Sequence, residues 1–131
     1  KEYRDRIDIS NDEFYKNLMT FKPYPTTSMP SPESYIACIK HAIEQGYEKI
    51  LCICMSSGTS GSYQSALLAK ELFYEQNPKS NIQFEIIDSV SMSHGSGWLI
   101  MKCAMLIENG YTFEELIEYC EIIKQRLNSI K

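Results

Sequence analysis

The chain has 131 residues, 44% of them hydrophobic, and a formal net charge of −4 at pH 7. This length suits a single domain with its own core. Lys and Arg form no cluster longer than two, which argues against nucleic acid or an anionic membrane as partner. The apolar runs are far shorter than the roughly 20 residues of a membrane helix, and the charged start KEYRDRIDIS does not resemble a signal peptide. We therefore expect one cytoplasmic domain over residues 1–131, without membrane insertion.

Two helices and a proline-rich loop are predicted for the first third of the chain. The capping-box pattern Ser-Asn-Asp-Glu at 10–13 predicts a short helix through Phe14 and Met19. Residues 21–32, FKPYPTTSMPSP, hold four of the five prolines, so this stretch is expected to be a loop of extended or turn backbone. A second, amphipathic helix is predicted from Pro32 until Gly46.

Strands and helices alternate in the remainder. The run KILCICM at 49–55 is apolar on both faces, as in a parallel strand covered by helices on both sides. The later elements, in order, are a helix over 62–76, a strand over 82–88, a helix over 98–108 and a last helix capped at Thr112. This order predicts an α/β fold with a parallel-sheet core and helices on both faces.

Five cysteines are present without CxxC spacing, and four of them lie in apolar segments. Buried, reduced thiols are expected. Cys52 and Cys54 would share one face of a strand, but no His or acidic residue accompanies them at ligand spacing. We expect neither a metal nor a cofactor.

Serine-rich and glycine-rich loops follow both strands: SSGTSGS at 56–62 and DSVSMSHGSG at 88–97. Loops at the carboxyl ends of parallel strands form the ligand crevice of such sheets, and a helix N-terminus favours an anion there. No Lys follows the glycines, so the phosphate-loop pattern fails. The loops therefore predict a neutral cradle for one carboxylate; the alternative is an ordinary pair of capping turns.

A catalytic interpretation uses Ser60 as a nucleophile. Gly58–Ser62 approaches the GxSxG pattern, and Asp88 and His94 follow in the order of a hydrolase triad. The match is inexact, because Ser62 stands where the closing glycine belongs. A serine-dependent small-molecule hydrolase or transferase is the alternative function, and a serine-reactive phosphonate probe would distinguish it.

The ordered motifs resemble the DegV family of bacterial fatty-acid-binding proteins. TTSMPSP, GYEKILCICMSSGTSGSYQSA and IIDSVSMSHGSG are similar to the family's TSQPSP, GYD, ISSGLSGTYQSA, DS and SxGxG patterns, and YRDRIDISNDEFY is similar to its YRDGVDISPEEFY. Met29, Thr59 and Ser62 depart from the family's Gln, Leu and Thr. The likeness covers nearly the whole chain.

The resemblance implies a carrier, not an enzyme, that buries a long-chain fatty acid such as palmitate and presents its carboxylate to a separate fatty-acid kinase. It also implies that this chain is the core of the family's N-terminal domain, lacking its first strand and its second domain, with residues 21–32 as a ligand loop. Any of the serines could contact the carboxylate. The site residues carried over by motif are Thr27, Ser28, Ser56, Ser57, Gly58, Ser60 and Gly61. Candidates for lining the acyl tail, or for ordinary core, are Ile53, Met55 and Trp98.

Overall fold

The computed structural model describes residues 2–128. Two parallel strands, β1 (Lys49–Cys54) and β2 (Gln83–Asp88), pair in register from Lys49 opposite Gln83 to Cys54 opposite Asp88. The helices in chain order are α1 (Asn11–Asn17), α2 (Pro32–Glu44), α3 (Ser62–Gln76), α4 (His94–Glu108) and α5 (Phe113–Asn128), with a 3₁₀ turn at Leu18–Thr20. The predicted parallel α/β fold is confirmed.

Alternating side chains of the strands supply two cores, one on each face of the sheet. Phe84 and Ile86 pack with α2 and α3, whose largest buried side chains are Ile39 and Phe73. On the other face, Ile87 packs with α4 and α5, joined by the half-buried side chains of Leu51 and Ile53. Helices therefore cover both faces, which explains why β1 shows no polar face in the sequence.

Local signals set most helix ends as predicted. The Ser10 hydroxyl accepts from the Glu13 amide at 3.2 Å and begins α1. At the start of α5, the Glu115 amide donates to the Thr112 hydroxyl at 3.2 Å, and the Thr112 amide donates to the Glu115 carboxylate at 2.7 Å. Gly46, at φ +84°, follows α2 in the left-handed conformation that glycine adopts without penalty.

The start of α4 differs from the prediction. The sequence predicts a helix from Trp98, whereas α4 begins at His94. The Gly97 amide donates to the Ser93 carbonyl at 3.1 Å, so the Gly-Ser-Gly segment is already helical. Glycines and serine carry no apolar periodicity, and the pattern could not reveal this first turn.

The cysteine prediction is partly wrong. Cys54, Cys103 and Cys120 are buried and Cys52 is half-buried, but Cys38 is exposed on α2. The Cys52 and Cys54 sulfurs lie 3.7 Å apart on one face of β1, as expected. Those of Cys103 and Cys120 lie 3.4 Å apart between α4 and α5. Within residues 2–128, no helix is long and apolar enough to cross a membrane.

Candidate functional site

The two serine-rich loops meet at the carboxyl end of the sheet. Because β1 and β2 end level with each other, Cys54 opposite Asp88, the segments that follow them start side by side. The Ser89 amide donates to the Cys54 carbonyl at 3.0 Å, and the Ser56 amide donates to the Ser91 carbonyl at 2.8 Å. These bonds extend the strand pairing into the loops and hold them together.

The Asp88 side chain adds polar contacts to both loops. Its Oδ1 accepts from the amides of Ser57 at 3.2 Å and Val90 at 2.9 Å. Its Oδ2 accepts from the Ser57 hydroxyl. Burial raises the pKa of Asp88, but these bonds and the charge of Lys124 outweigh it, so the pKa lies below its ordinary value. Asp88 is therefore an anion at neutral pH.

Residues 56–62, hereafter the serine turn, form a compact hydroxyl cluster before α3. The amides of Thr59 and Ser60 donate to the Ser56 carbonyl at 3.1 and 3.0 Å, which closes the turn. The hydroxyl oxygens of Ser60 and Ser62 lie 2.8 Å apart. Gly61 is the N-cap residue of α3 and offers no capping side chain. The Ser62 amide donates to the Ser60 hydroxyl oxygen at 3.2 Å. The dipole of a 15-residue helix favours an anion at this end.

The proline-rich loop reaches the serine turn through its last residues. The Pro30 carbonyl accepts from the Ser65 hydroxyl of α3 at 2.7 Å. The Met29 side chain lies over Gly61, where an added Cβ would collide with its sulfur and lie 3.2 Å from its Cε. Thr27 and Ser28 precede this contact and are exposed. Gly61 has an ordinary φ of −74°, so its backbone conformation does not require glycine.

The structure thus brings most of the predicted site residues together. Ser56, Ser57, Gly58, Ser60 and Gly61 lie in one turn, with Thr27 and Ser28 on the neighbouring loop. The sequence motifs did not assign Asp88, Ser62 or Ser91 to the carboxylate site. The position of Asp88 could have indicated its role, because it is an acidic residue at the end of the predicted second strand and is followed by serines.

A hydrolase triad is not assembled in residues 2–128. Asp88 pairs with Ser57 and not with His94, and the Ser60 hydroxyl pairs with Ser62. His94 is exposed at the start of α4. Nucleophilic catalysis by Ser60 would need a base within hydrogen-bond reach and an acidic residue orienting that base.

Two shallow hollows lie away from the serine turn. One, of about 400 Å³, is lined by residues including Tyr47 and Ile82, just before the two strands begin. The other, of about 570 Å³, borders α2 near Cys38 and His41. Both lie near the amino end of the sheet, opposite the serine loops. Of the predicted tail-lining residues, Ile53 packs against the core between β1, α4 and α5, and Trp98 is exposed.

The family model described as "Uncharacterised protein, DegV family" matches residues 1–130. The chain belongs to the DegV family. A DegV domain-containing protein of Clostridium acetobutylicum is 36% identical over 116 residues, which cover 88% of this chain and 39% of that protein. The chain thus spans about two fifths of the length of the curated relatives it matches.

Solved DegV-like structures share the fold. A stearic-acid-binding protein from Eubacterium ventriosum superposes with a TM-score of 0.78 at 33% identity, over 91% of this chain and 40% of that one. The fatty acid kinase B3 protein of Streptococcus pneumoniae, loaded with linoleic acid, gives a TM-score of 0.78 at 26% identity, over 92% and 41%. The DegV resemblance inferred from the motifs is confirmed.

Proposed function

We propose that this chain is the part of a fatty-acid-binding protein that holds the lipid carboxylate at the serine turn, without itself catalysing a reaction. One observation carries the proposal: serine hydroxyls and the N-terminus of α3 converge where two parallel strands end. Such donors match a carboxylate, which only accepts hydrogen bonds. The fatty acids named for the structurally similar proteins support this class of ligand.

The acyl tail supplies most of the affinity in this proposal. Each methylene removed from water contributes roughly 0.8 kcal/mol, so a long chain outweighs its head group. We propose residues 1–131 as the core of a lipid-binding domain, with residues 21–32 as its ligand loop. Since the relatives are more than twice as long, the rest of a full-length protein would complete the cover over the tail.

Presentation of the carboxylate to a fatty-acid kinase follows from the exposure of the site. Thr27, Ser28 and Met92 are exposed around the serine loops, so an enzyme could approach the head group while the tail stays buried. The similarity to a fatty acid kinase B3 protein supports this partner. The five free cysteines suit the reducing cytoplasm.

Competition binding tests the proposal. The assay measures how well palmitate and methyl palmitate displace a fluorescent acyl probe. It is run on the full-length protein and on the 131-residue chain. We expect the acid to compete better than the ester. We expect Ser60→Ala to weaken palmitate binding about tenfold, as the loss of a hydrogen bond to a charged group does. The control is Ser80→Ala, at the opposite end of β2.

Two outcomes would contradict the proposal. Failure of palmitate to compete on the full-length protein would exclude fatty-acid binding. Stable labelling of Ser60 by a serine-reactive phosphonate would support the hydrolase alternative, because an unactivated hydroxyl does not react.

A further inference from the structure

Asp88 uses both carboxylate oxygens to join the two serine loops. Oδ1 accepts the backbone amides of Ser57 and Val90, and Oδ2 accepts the Ser57 hydroxyl. Ser57 and Asp88 are 31 residues apart in the chain. No other carboxylate among residues 2–128 accepts hydrogen bonds from both serine loops.

The charge of Asp88 fixes the direction of the Ser57 hydrogen bond. An ionised carboxylate can only accept, and a serine hydroxyl has one proton. The Ser57 proton therefore lies toward Asp88, and the outer side of the Ser57 oxygen offers lone pairs only. A fatty-acid carboxylate also offers lone pairs only, so Ser57 cannot donate to it while the bond to Asp88 persists.

Ser60 and Ser62 differ from Ser57 in this respect. Their hydroxyl oxygens lie 2.8 Å apart, and both groups are neutral. One proton forms the bond between them. The Ser60 oxygen also accepts the Ser62 amide at 3.2 Å, and the Ser62 side chain bonds Tyr35, so neither hydroxyl is held by an anion. The serine turn thus contains one hydroxyl committed to an anion and a pair whose partners are all neutral, from which a ligand carboxylate can draw a proton more readily.

Asp88 also bonds a residue of unusual backbone conformation in the second loop, Val90. Val90 has φ +54°, which a β-branched residue rarely adopts. Its amide donates to Asp88 at 2.9 Å. The bond holds the chain in this conformation directly after β2, where the loop turns back toward the serine turn.

We propose that Asp88 is a positioning residue of the carboxylate site: it withholds the Ser57 proton from the ligand, locks the two serine loops together and leaves the donation to the other serines. This inference rests on the proposed function, whose donor groups it assigns. The serines are equivalent in the sequence motif. The proposal assigns Ser57 a structural role and the other serines the role of donors to the ligand carboxylate.

A double-substitution experiment on the full-length protein tests this assignment. In Asp88→Asn, the amide oxygen can still accept the two backbone amides, while the amide nitrogen donates to the Ser57 oxygen and so releases the Ser57 proton. We expect Ser57→Ala to change palmitate affinity less than about twofold in the wild-type background and about tenfold in the Asp88→Asn background. Ser80→Ala serves as the control in both.

A second readout does not depend on lipid. Amide hydrogen exchange at Ser57 and Val90 should be slow in the wild type and in Asp88→Asn, and fast in Asp88→Ala, which removes every acceptor. If Asp88 had a purely structural role, the exchange pattern would be the same. The effect of Ser57→Ala on palmitate affinity would then not differ between the wild-type and Asp88→Asn backgrounds.

The outcomes separate this inference from the function on which it rests. If wild-type protein binds palmitate but Ser57→Ala weakens it equally in both backgrounds, the assignment of Asp88 is wrong and the proposed function stands. Equal exchange at Ser57 and Val90 in all three proteins would also overturn the assignment. If the wild type binds no palmitate, the proposed function and the lipid role of Asp88 both fail.

Discussion

Replacing Gly95 by alanine should disrupt the contact between the two serine loops. A Cβ built on Gly95 would lie 2.7 Å from the Ser91 Cβ and collide with its hydroxyl oxygen. The Ser91 Cβ is bound directly to the backbone, so rotation of the side chain cannot relieve the clash. The backbone at Ser91 must move, and its carbonyl is the acceptor for the Ser56 amide.

Gly97, two residues further along α4, provides the matched control. A Cβ there would meet open space. Alanine within a helix stabilises by roughly 0.5–1 kcal/mol relative to glycine, so Gly97→Ala should raise the free energy of unfolding slightly. Overpacking costs roughly 1–3 kcal/mol. After the same helical gain is subtracted from the middle of that range, Gly95→Ala should lower the free energy of unfolding by about 1 kcal/mol.

Urea unfolding followed by circular dichroism measures both variants. The two midpoints should shift in opposite directions from the wild type, with the slope unchanged. Palmitate affinity should fall in Gly95→Ala and stay unchanged in Gly97→Ala. If Gly95→Ala were as stable as Gly97→Ala, the close packing of Ser91 on α4 would be refuted.

Three further predictions concern the core, the thiols and acid stability. Leu99→Ala should lower the free energy of unfolding by about 2–5 kcal/mol, because Leu99 is fully buried between the sheet and α5; a loss below about 1 kcal/mol in urea unfolding would contradict this packing. At pH 7.5, iodoacetamide should label exposed Cys38 before Cys120, since Cys120 is buried and burial raises its pKa to about 12; peptide mass spectrometry measures the order, and equal labelling would be inconsistent with the burial. The pKa of Asp88 is lowered in the folded state, so its contribution to stability is fully present above its unfolded value near 4 and is lost as the pH falls through the folded value. The difference in urea midpoint between the wild type and Asp88→Asn should therefore shrink between pH 5 and pH 2, and a constant difference would contradict an ionised Asp88.

Local signals explain which elements the sequence predicts well. The caps at Ser10 and Thr112 and the left-handed Gly46 act within a few residues of their partners, so their hydrogen bonds can be inferred from spacing alone. The strands were placed to within one residue, because apolar runs bounded by polar loops have few alternative structures. The first turn of α4, without such a pattern, was missed.

The position of the candidate site residues in the fold could be predicted for a related reason. Ser56, Ser57 and Ser60 lie in a single motif after a predicted strand, and the parallel topology places that motif beside the loop after β2. Their separate roles could not be predicted. Within the motif these hydroxyls are chemically alike, and only the partner across the sheet distinguishes them.

The sequence by itself determined the order of helices and strands, the two-sided burial of β1, the DegV membership and the position of the serine turn. All of these depend on neighbours close along the chain or on the order of motifs. The tertiary structure alone decided that Asp88 holds Ser57, that Met29 lies over Gly61 and that Ser91 packs against Gly95. These contacts depend on the register of the two strands, which sets where each one ends, and on the distance between the loops. Both are fixed only when the whole core packs.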